Sequence, residues 1–359
     1  MKVAIDASIL SKTGIGNYTN RLINDLPKLF PGDVFIKVSE PVPLRRDSSY
    51  LKYINGFRRI YLEQIKMSQT LKMVGADIFH NPRNFGLPLY SPCKCVVTIH
   101  DIIPMIFSKV YLQSIVEKKY YNMSIRAAIT RSAKIITDSK FSRDELIKHL
   151  GVKGDKIEVV YLGCGDEFRV IDDSRLLQQV LDKHGVYRPF IVTIGGSEYR
   201  KNIARLIDVF QTKFAEDYQL VVIGGAWRKF DLRQDRGSLS NVVFTGPVTQ
   251  EELVSLYSLA SLFVFPSLYE GFGLPVLEAM ACGVPVAASN SSSIPEVAGD
   301  AALMFDPMDE NQMYLSIKKI LDSKSLQKEL TCKGLEQVKL FRWEDTLRQT
   351  MQIYRDVLK

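Results

Sequence analysis

Residues 265–285 read Phe-Pro-Ser-Leu-Tyr-Glu-Gly-Phe-Gly-Leu-Pro-Val-Leu-Glu-Ala-Met-Ala-Cys-Gly-Val-Pro, and two carboxylates in that string, Glu270 and Glu278, could do chemistry. The apolar run Leu262–Phe265 stops at Pro266 and gives way to a glycine-containing loop. A helix then starts with Pro275 in its first turn, where a missing N–H is harmless, and stops at Gly283. Leu274, Leu277 and Ala281 repeat at helical spacing, which places Glu278 beside a buried face while Glu270 stays in the loop. A carboxylate near a buried face needs donors, and a pair of ligand hydroxyls supplies them. The loop amides and the positive helix end make an anion site. Anion site and hydroxyl-seeking acids together suit a nucleotide-sugar. The residues alone also allow a surface glutamate followed by a helix with a satisfied one.

Three further segments carry candidate chemistry. Gly195-Gly-Ser-Glu-Tyr-Arg200-Lys201-Asn202 joins a strand to a helix, with Asn202 as its expected N-cap. Two cations at a helix start are unfavourable unless an anion is close, so Arg200 and Lys201 mark either an exposed basic turn or an anion site. Gly14-Ile15-Gly16-Asn17-Tyr18 follows the first strand and opens a helix over Tyr18–Leu26. Its glycines permit backbone approach to a phosphate or simply a tight turn. Thr19 replaces the third glycine of a dinucleotide fingerprint, which disfavours a nicotinamide dehydrogenase. Thr98-Ile-His100-Asp101-Ile-Ile-Pro104 ends a central strand, where clefts of α/β proteins form. His80 reads as structural or as lining such a cleft.

The elements that position these groups alternate throughout. Apolar runs at Val3–Asp6, Val34–Val38, Ile78–His80, Val96–Ile99, Ile135–Thr137 and Ile157–Val160 form a first set, and those at Phe190–Ile194, Leu220–Ile223, Val242–Phe244, Leu262–Phe265 and Val284–Ala287 a second, with helical stretches between. One such helix, Gln250–Ala260, carries a capping box in Thr249 and Glu252. Two doubly wound Rossmann-like domains follow. The first domain takes residues 1–170 and the second 171–342, with a last helix over 343–359. The chain has 359 residues, ample for two domains, and its 46% hydrophobic and 24% charged content is that of a globular protein. Five scattered cysteines give no disulfide framework, and no paired ligands suggest a metal. Asp6 stands where a signal peptide would be apolar, so a cytoplasmic protein is expected. Residues 1–186 hold 28 Lys+Arg and 19 Asp+Glu, against 19 and 21 in the remainder. The first half should therefore meet phosphates or an anionic membrane. No nucleic-acid module is recognisable, so nucleic acid is not an expected partner. The stretch Tyr50–Leu62 interleaves aromatics with cations and reads either as an amphipathic helix on its own sheet or as a membrane contact.

Glu270-Gly271-Phe272-Gly273-Leu274-Pro-Val-Leu-Glu278, with Pro-Ser before it and Ala-Cys-Gly-Val-Pro-Val after it, resembles the acidic-pair motif of family 4 retaining glycosyltransferases. The resemblance implies the GT-B fold: two Rossmann-like domains facing across a cleft, the first on the acceptor side and the second binding the donor. It also implies that the C-terminal helix, 343–359, crosses back to join the first domain. It implies Glu278 on the ribose hydroxyls, Glu270 on the sugar hydroxyls, and the Gly271, Phe272, Gly273 and Leu274 segment with Arg200 and Lys201 on the diphosphate. Many members carry an additional arginine where this chain has Gly196. Gly14 and Gly16 would face the same diphosphate, with Asn17 and Tyr18 as acceptor neighbours. The His-Asp-x-x-Pro segment is similar to that of bacterial mannosyl- and rhamnosyltransferases and gives His100 a role at the transferred sugar or the acceptor. The implied activity is metal-independent transfer of a hexose, mannose from GDP-mannose in the first instance, to a saccharide or lipid-linked saccharide, with no cofactor. Cell-surface polysaccharide synthesis at the cytoplasmic face of the inner membrane is the expected setting. Transfer of rhamnose, glucose or N-acetylglucosamine, a nucleotide-sugar epimerase or hydrolase, and a non-catalytic binder remain alternatives.

Overall fold

The strands are short and apolar, as parallel strands covered on both faces must be. The structure, a computed structural model, describes residues 1–10, 14–38, 61–187, 189–196, 198–225, 239 and 241–359; most of the Tyr50–Leu62 stretch and Ser197 lie outside these. Among the described residues there are twelve strands: β1 (Lys2–Asp6), β2 (Val34–Val38), β3 (Ile78–Asn81), β4 (Lys94–Thr98), β5 (Lys134–Thr137), β6 (Ile157–Val159), β7 (Phe190–Ile194), β8 (Gln219–Ile223), β9 (Val242–Gly246), β10 (Leu262–Phe265), β11 (Val286–Ser289) and β12 (Ala302–Phe305). The sequence reading lacked β12: its Ala-Leu-Met-Phe has no β-branched residue to signal an edge strand.

They form two six-stranded parallel sheets, ordered β2-β1-β3-β4-β5-β6 and β12-β11-β10-β7-β8-β9. Each is doubly wound, with its order reversing beside the first strand: between β1 and β3 in one sheet, between β7 and β10 in the other. Loops that follow strands at such a reversal diverge and leave a crevice, the usual ligand position of this architecture. The chain divides into a first unit of Met1–Leu162 with Trp343–Lys359 and a second of Gly163–Arg342, whereas the sequence reading changed domains after residue 170.

In the second unit β10 is wholly buried, and Ile203, Leu206, Ile207 and Phe210 cover its sheet from the helix Ile203–Lys213. In the first unit the C-terminal helix Trp343–Leu358 buries Leu347, Thr350, Met351 and Tyr354 at helical spacing. Thr346 Oγ1 donates to the Tyr161 carbonyl at 2.6 Å, so this helix returns to the first unit as expected. The Thr249–Glu252 capping box is formed, with both reciprocal bonds. The first helix begins at Gly14 rather than Tyr18, so Gly14 and Gly16 belong to its opening turn and not to a preceding loop. No helix among the described residues is long and apolar enough to cross a membrane.

Candidate active site

In the second unit, the loops after β7 and β10 supply most of the expected donor-binding residues. The turn Tyr199–Lys201 is a single 3₁₀ turn, and Leu268 N–H donates to the Arg200 carbonyl at 2.7 Å, tying the two loops together. Asn202 occupies the helix N-cap position but does not cap. It adopts a left-handed conformation (φ 56°) and its amide donates to the carbonyls of Pro266 (3.1 Å) and Pro307 (2.8 Å). The expected cap is thus a clamp, because the turn has two carbonyls to satisfy and little water to do it.

Glu270 lies between the two cations. Its carboxylate accepts from Arg200 Nη1 at 2.6 Å and from Lys201 Nζ at 2.8 Å, and it is 8% exposed. Burial would raise its pKa, but the charges of Lys201 and Arg200 prevail and hold it below the usual glutamate range. Lys201 also lies over the Phe265 ring, and Arg200 reaches the exposed Glu198 through Nε at 2.8 Å. The anion that a basic helix start requires is therefore present in the protein itself.

Two serines fix this loop. Ser292 Oγ accepts from Glu270 N–H (2.9 Å), and Ser293 Oγ reaches the carbonyls of Glu270 (3.0 Å) and Phe272 (2.6 Å). Sequence reasoning passed over them; a run of three serines after a buried strand, closing on Ile294-Pro295, was their only signal. Gly273 holds φ 114°, a conformation that disfavours any side chain, and starts the helix Leu274–Ala281 without a side-chain cap. Glu278 sits in that helix with partial exposure. Burial, then the charge of Glu167, push its pKa up to about 7, with Lys201 opposing. The two acids of the motif thus titrate in opposite directions. Gly196 has a packing reason: a Cβ there would stand 3.0 Å from the Gly225 carbonyl oxygen.

In the first unit the strand ends gather a different set. His100 Nδ1 faces Asp138 Oδ2 at 2.6 Å and Nε2 faces the Pro82 carbonyl at 3.2 Å. Both partners can accept, so either ring nitrogen has an acceptor for its proton. Burial pushes the His100 pKa down, yet Asp138 and Pro82 raise it overall. Asn84 Oδ1 accepts from His100 N–H, and Arg83 Nε pairs with buried Asp6 at 3.0 Å, closing the reversal between β1 and β3. Asp6, Arg83, Asn84 and Asp138 were not among the residues expected from sequence, although each follows or ends a strand. Tyr18 is 1% exposed: its ring meets His100 edge-on at 5.3 Å and its hydroxyl bonds Thr98 Oγ1. Tyr18 is therefore too buried to be a direct acceptor contact, while Asn17 is exposed. His80 is structural: Tyr354 OH (2.5 Å) and Thr98 Oγ1 (2.8 Å) take its nitrogens, and burial lowers its pKa to about 3.

The arrangement sets two cations and two acids at the ends of β7 and β10, with Glu270 neutralising both cations. Comparison with known proteins shows the family. The family description "Glycosyltransferase Family 4" matches residues 13–167, and "Glycosyl transferases group 1" matches residues 182–337. O-antigen chain mannosyltransferase B of Escherichia coli is 34% identical over 370 residues, covering 96% of each chain. Among solved structures, WaaG, a glycosyltransferase involved in lipopolysaccharide biosynthesis, superposes with a TM-score of 0.76 at 16% identity over 98% of this chain and 99% of its own. Anabaena HepE in complex with UDP-glucose gives 0.76 at 15% identity over 99% and 100%. These likenesses support the GT-B fold, and with the matched motif residues the chain belongs to the family 4 glycosyltransferases.

Proposed function

We propose that this glycosyltransferase moves mannose from GDP-mannose, with retention of configuration and without a metal, onto a lipid-linked saccharide in the assembly of a cell-surface polysaccharide. The observation that carries the reading is the Arg200–Glu270–Lys201 cluster beside Glu278 at the reversal of a doubly wound sheet. The identity to an O-antigen mannosyltransferase along nearly the whole chain supports the sugar and the setting. HepE, a structural neighbour that holds UDP-glucose, supports a nucleotide-sugar as donor.

In this reading Glu278 receives the ribose hydroxyls, and Glu270 orients the hydroxyls of the sugar. Arg200 and Lys201 stabilise the charge that grows on the departing diphosphate, which supplies the positive charge a metal would otherwise bring. A preorganised donor aimed at developing charge contributes about 2.7–4 kcal/mol, whereas a helix end alone contributes about 0.3–2 kcal/mol. The side-chain cations should therefore outweigh the Gly271–Leu274 amides. Two cations on Glu270 make it a weak base and a weak nucleophile, which favours attack by the acceptor from the leaving-group side over a glycosyl-enzyme. His100, its pKa raised by Asp138 and its ring edge-on to Tyr18, is assigned to the sugar or acceptor.

A panel of nucleotide-sugars read by thermal shift tests the donor. GDP-mannose at a hundredfold excess over its Kd should stabilise the protein by about 2.7 kcal/mol. A response to UDP-sugars alone would replace the base, and consumption of donor without acceptor would replace the reaction. Activity should survive chelation; a loss restored by added metal would end the metal-free reading.

A further inference from the structure

Among the described residues, only two that are not glycine hold a positive φ, Asn202 at 56° and Ser292 at 57°. Asparagine tolerates that region, whereas serine occurs there rarely and at a cost in backbone strain. Both residues bond the loop that carries Glu270. Asn202 donates to the Pro266 carbonyl at 3.1 Å, and beside it the Arg200 carbonyl accepts from Leu268 N–H. From the other side, Ser292 Oγ gives its own proton to the Ser291 carbonyl at 2.7 Å, which leaves a lone pair for Glu270 N–H at 2.9 Å. Ser293, fully buried, turns its hydroxyl to the carbonyls of Glu270 and Phe272. Two successive serines thus grip the main chain of Glu270 at its N–H and at its carbonyl, and neither bond involves a charged group.

The side chain of Glu270 is held differently, by Arg200 and Lys201. Those are the cations that the proposed reaction turns to the diphosphate. A carboxylate that depended on them alone would lose its aim when the donor arrives. We propose that Ser292 and Ser293 are positioning residues that keep Glu270 aimed at the sugar while Arg200 and Lys201 serve the diphosphate, an inference that rests on assigning those cations to the donor. The left-handed turn at Ser292 is the strain accepted for that purpose. The turn by itself does not ask for serine: glycine takes φ 57° freely and would serve a purely structural bend better. What serine adds is the hydroxyl on the Glu270 N–H. A catalytic group misplaced by about 1 Å can cost about a hundredfold in rate, so a grip on the main chain is worth the strain.

The test compares Ser292→Gly with Ser292→Ala in the full chain. Both delete the hydroxyl, but only glycine relieves the backbone. Ser292→Gly should keep its Tm within about 2 °C of wild type, and Ser292→Ala should lose about 2–4 °C. Activity should follow the hydroxyl instead. In a GDP-mannose transfer assay kcat should fall about tenfold in both variants, and similarly in Ser293→Ala. The Kd for GDP-mannose should stay within about threefold, because Arg200, Lys201 and Glu278 are untouched. In the donor-free protein the Glu270 amide should exchange with deuterium about tenfold faster in both Ser292 variants. A Ser292→Gly protein with wild-type kcat, kcat losses that track Tm, or an unchanged Glu270 amide would overturn the proposal and leave the serines as ties of a loop. A wild type inactive with GDP-mannose but active with another nucleotide-sugar would instead strike the proposed donor, and the same kcat comparison would then be read with that sugar.

Discussion

Each unit pushes a pair of like groups apart in pKa, but by different means and to different ends. In the second unit Glu270 is held ionised by Lys201 and Arg200 while Glu278 is pushed up to about 7 by burial and Glu167. In the first, His100 is raised by Asp138 while His80 falls to about 3 through burial and the neighbouring charge of His100. Opposed titration within a pair of like groups is a mark of divided roles. The second unit achieves it with full charges on loops, arranged where a ligand's charges could replace them. The first sets its low-pKa member in a closed hydrogen-bonded core: Tyr354, His80, Thr98 and Tyr18 satisfy one another without solvent. The contrast separates an acid pair flanked by charged partners from a histidine pair in which His80 is sealed and His100 keeps 6% exposure.

The largest effect should come from breaking the charged pair. Lys201→Ala removes one of the two cations on Glu270 and is expected to lower kcat/KM about a hundred- to a thousandfold in a transfer assay. A loss of less than about threefold would remove Lys201 from the leaving-group role and make the cluster an ordinary structural ion pair.

Glu278 offers the next test. A carboxyl whose folded pKa is about 7 against the ordinary 4.5 binds its proton more tightly when folded. Its contribution to stability is complete below pH 4.5 and is lost as pH rises through 7. Integrated, that loss is roughly 3 kcal/mol at most. Glu278→Gln cannot ionise, so it should unfold at higher denaturant than wild type at pH 8 and at similar denaturant near pH 4. The same substitution should weaken GDP-mannose about tenfold in calorimetry, a hydrogen bond to a charged group being worth about 1.5–3 kcal/mol. Wild-type binding near pH 7 should release protons, visible as a dependence of the measured heat on buffer. Identical pH–stability curves for Glu278→Gln and wild type would mean that burial does not displace this carboxyl.

Much of this contrast is legible in the sequence, and the missing part has a common cause. The strand runs, the helix after Gly273, and the acids with Arg200 and Lys201 are local signals, carried by periodicity and by glycine and proline. What sequence could not show is which groups meet across strands. Nothing in the spacing says that Asp138 stands 2.6 Å from His100, that Arg83 pairs with Asp6, or that Ser292 and Ser293 hold the Glu270 loop, because register between strands is set by packing over long separations. Asn202 shows the same limit from the other side. Its residue type is right for a cap, yet the two proline carbonyls that claim its amide lie 64 and 105 positions away.

The smallest expected effect tests the closed pair. Tyr354→Phe deletes a hydroxyl that bonds His80 Nδ1 at 2.5 Å and leaves that nitrogen buried with no partner. The cost should be about 1–3 kcal/mol, read as a lower Tm. His80 would gain no charge in exchange, since burial keeps its pKa near 3. Because Tyr354 and Lys201 belong to different units and share no partner, donor affinity should change by less than about twofold. A stable Tyr354→Phe protein with a tenfold loss of kcat would break the comparison: the buried network under His100 would then be positioning the histidine for the reaction, and the closed pair of the first unit would be as functional as the open pair of the second.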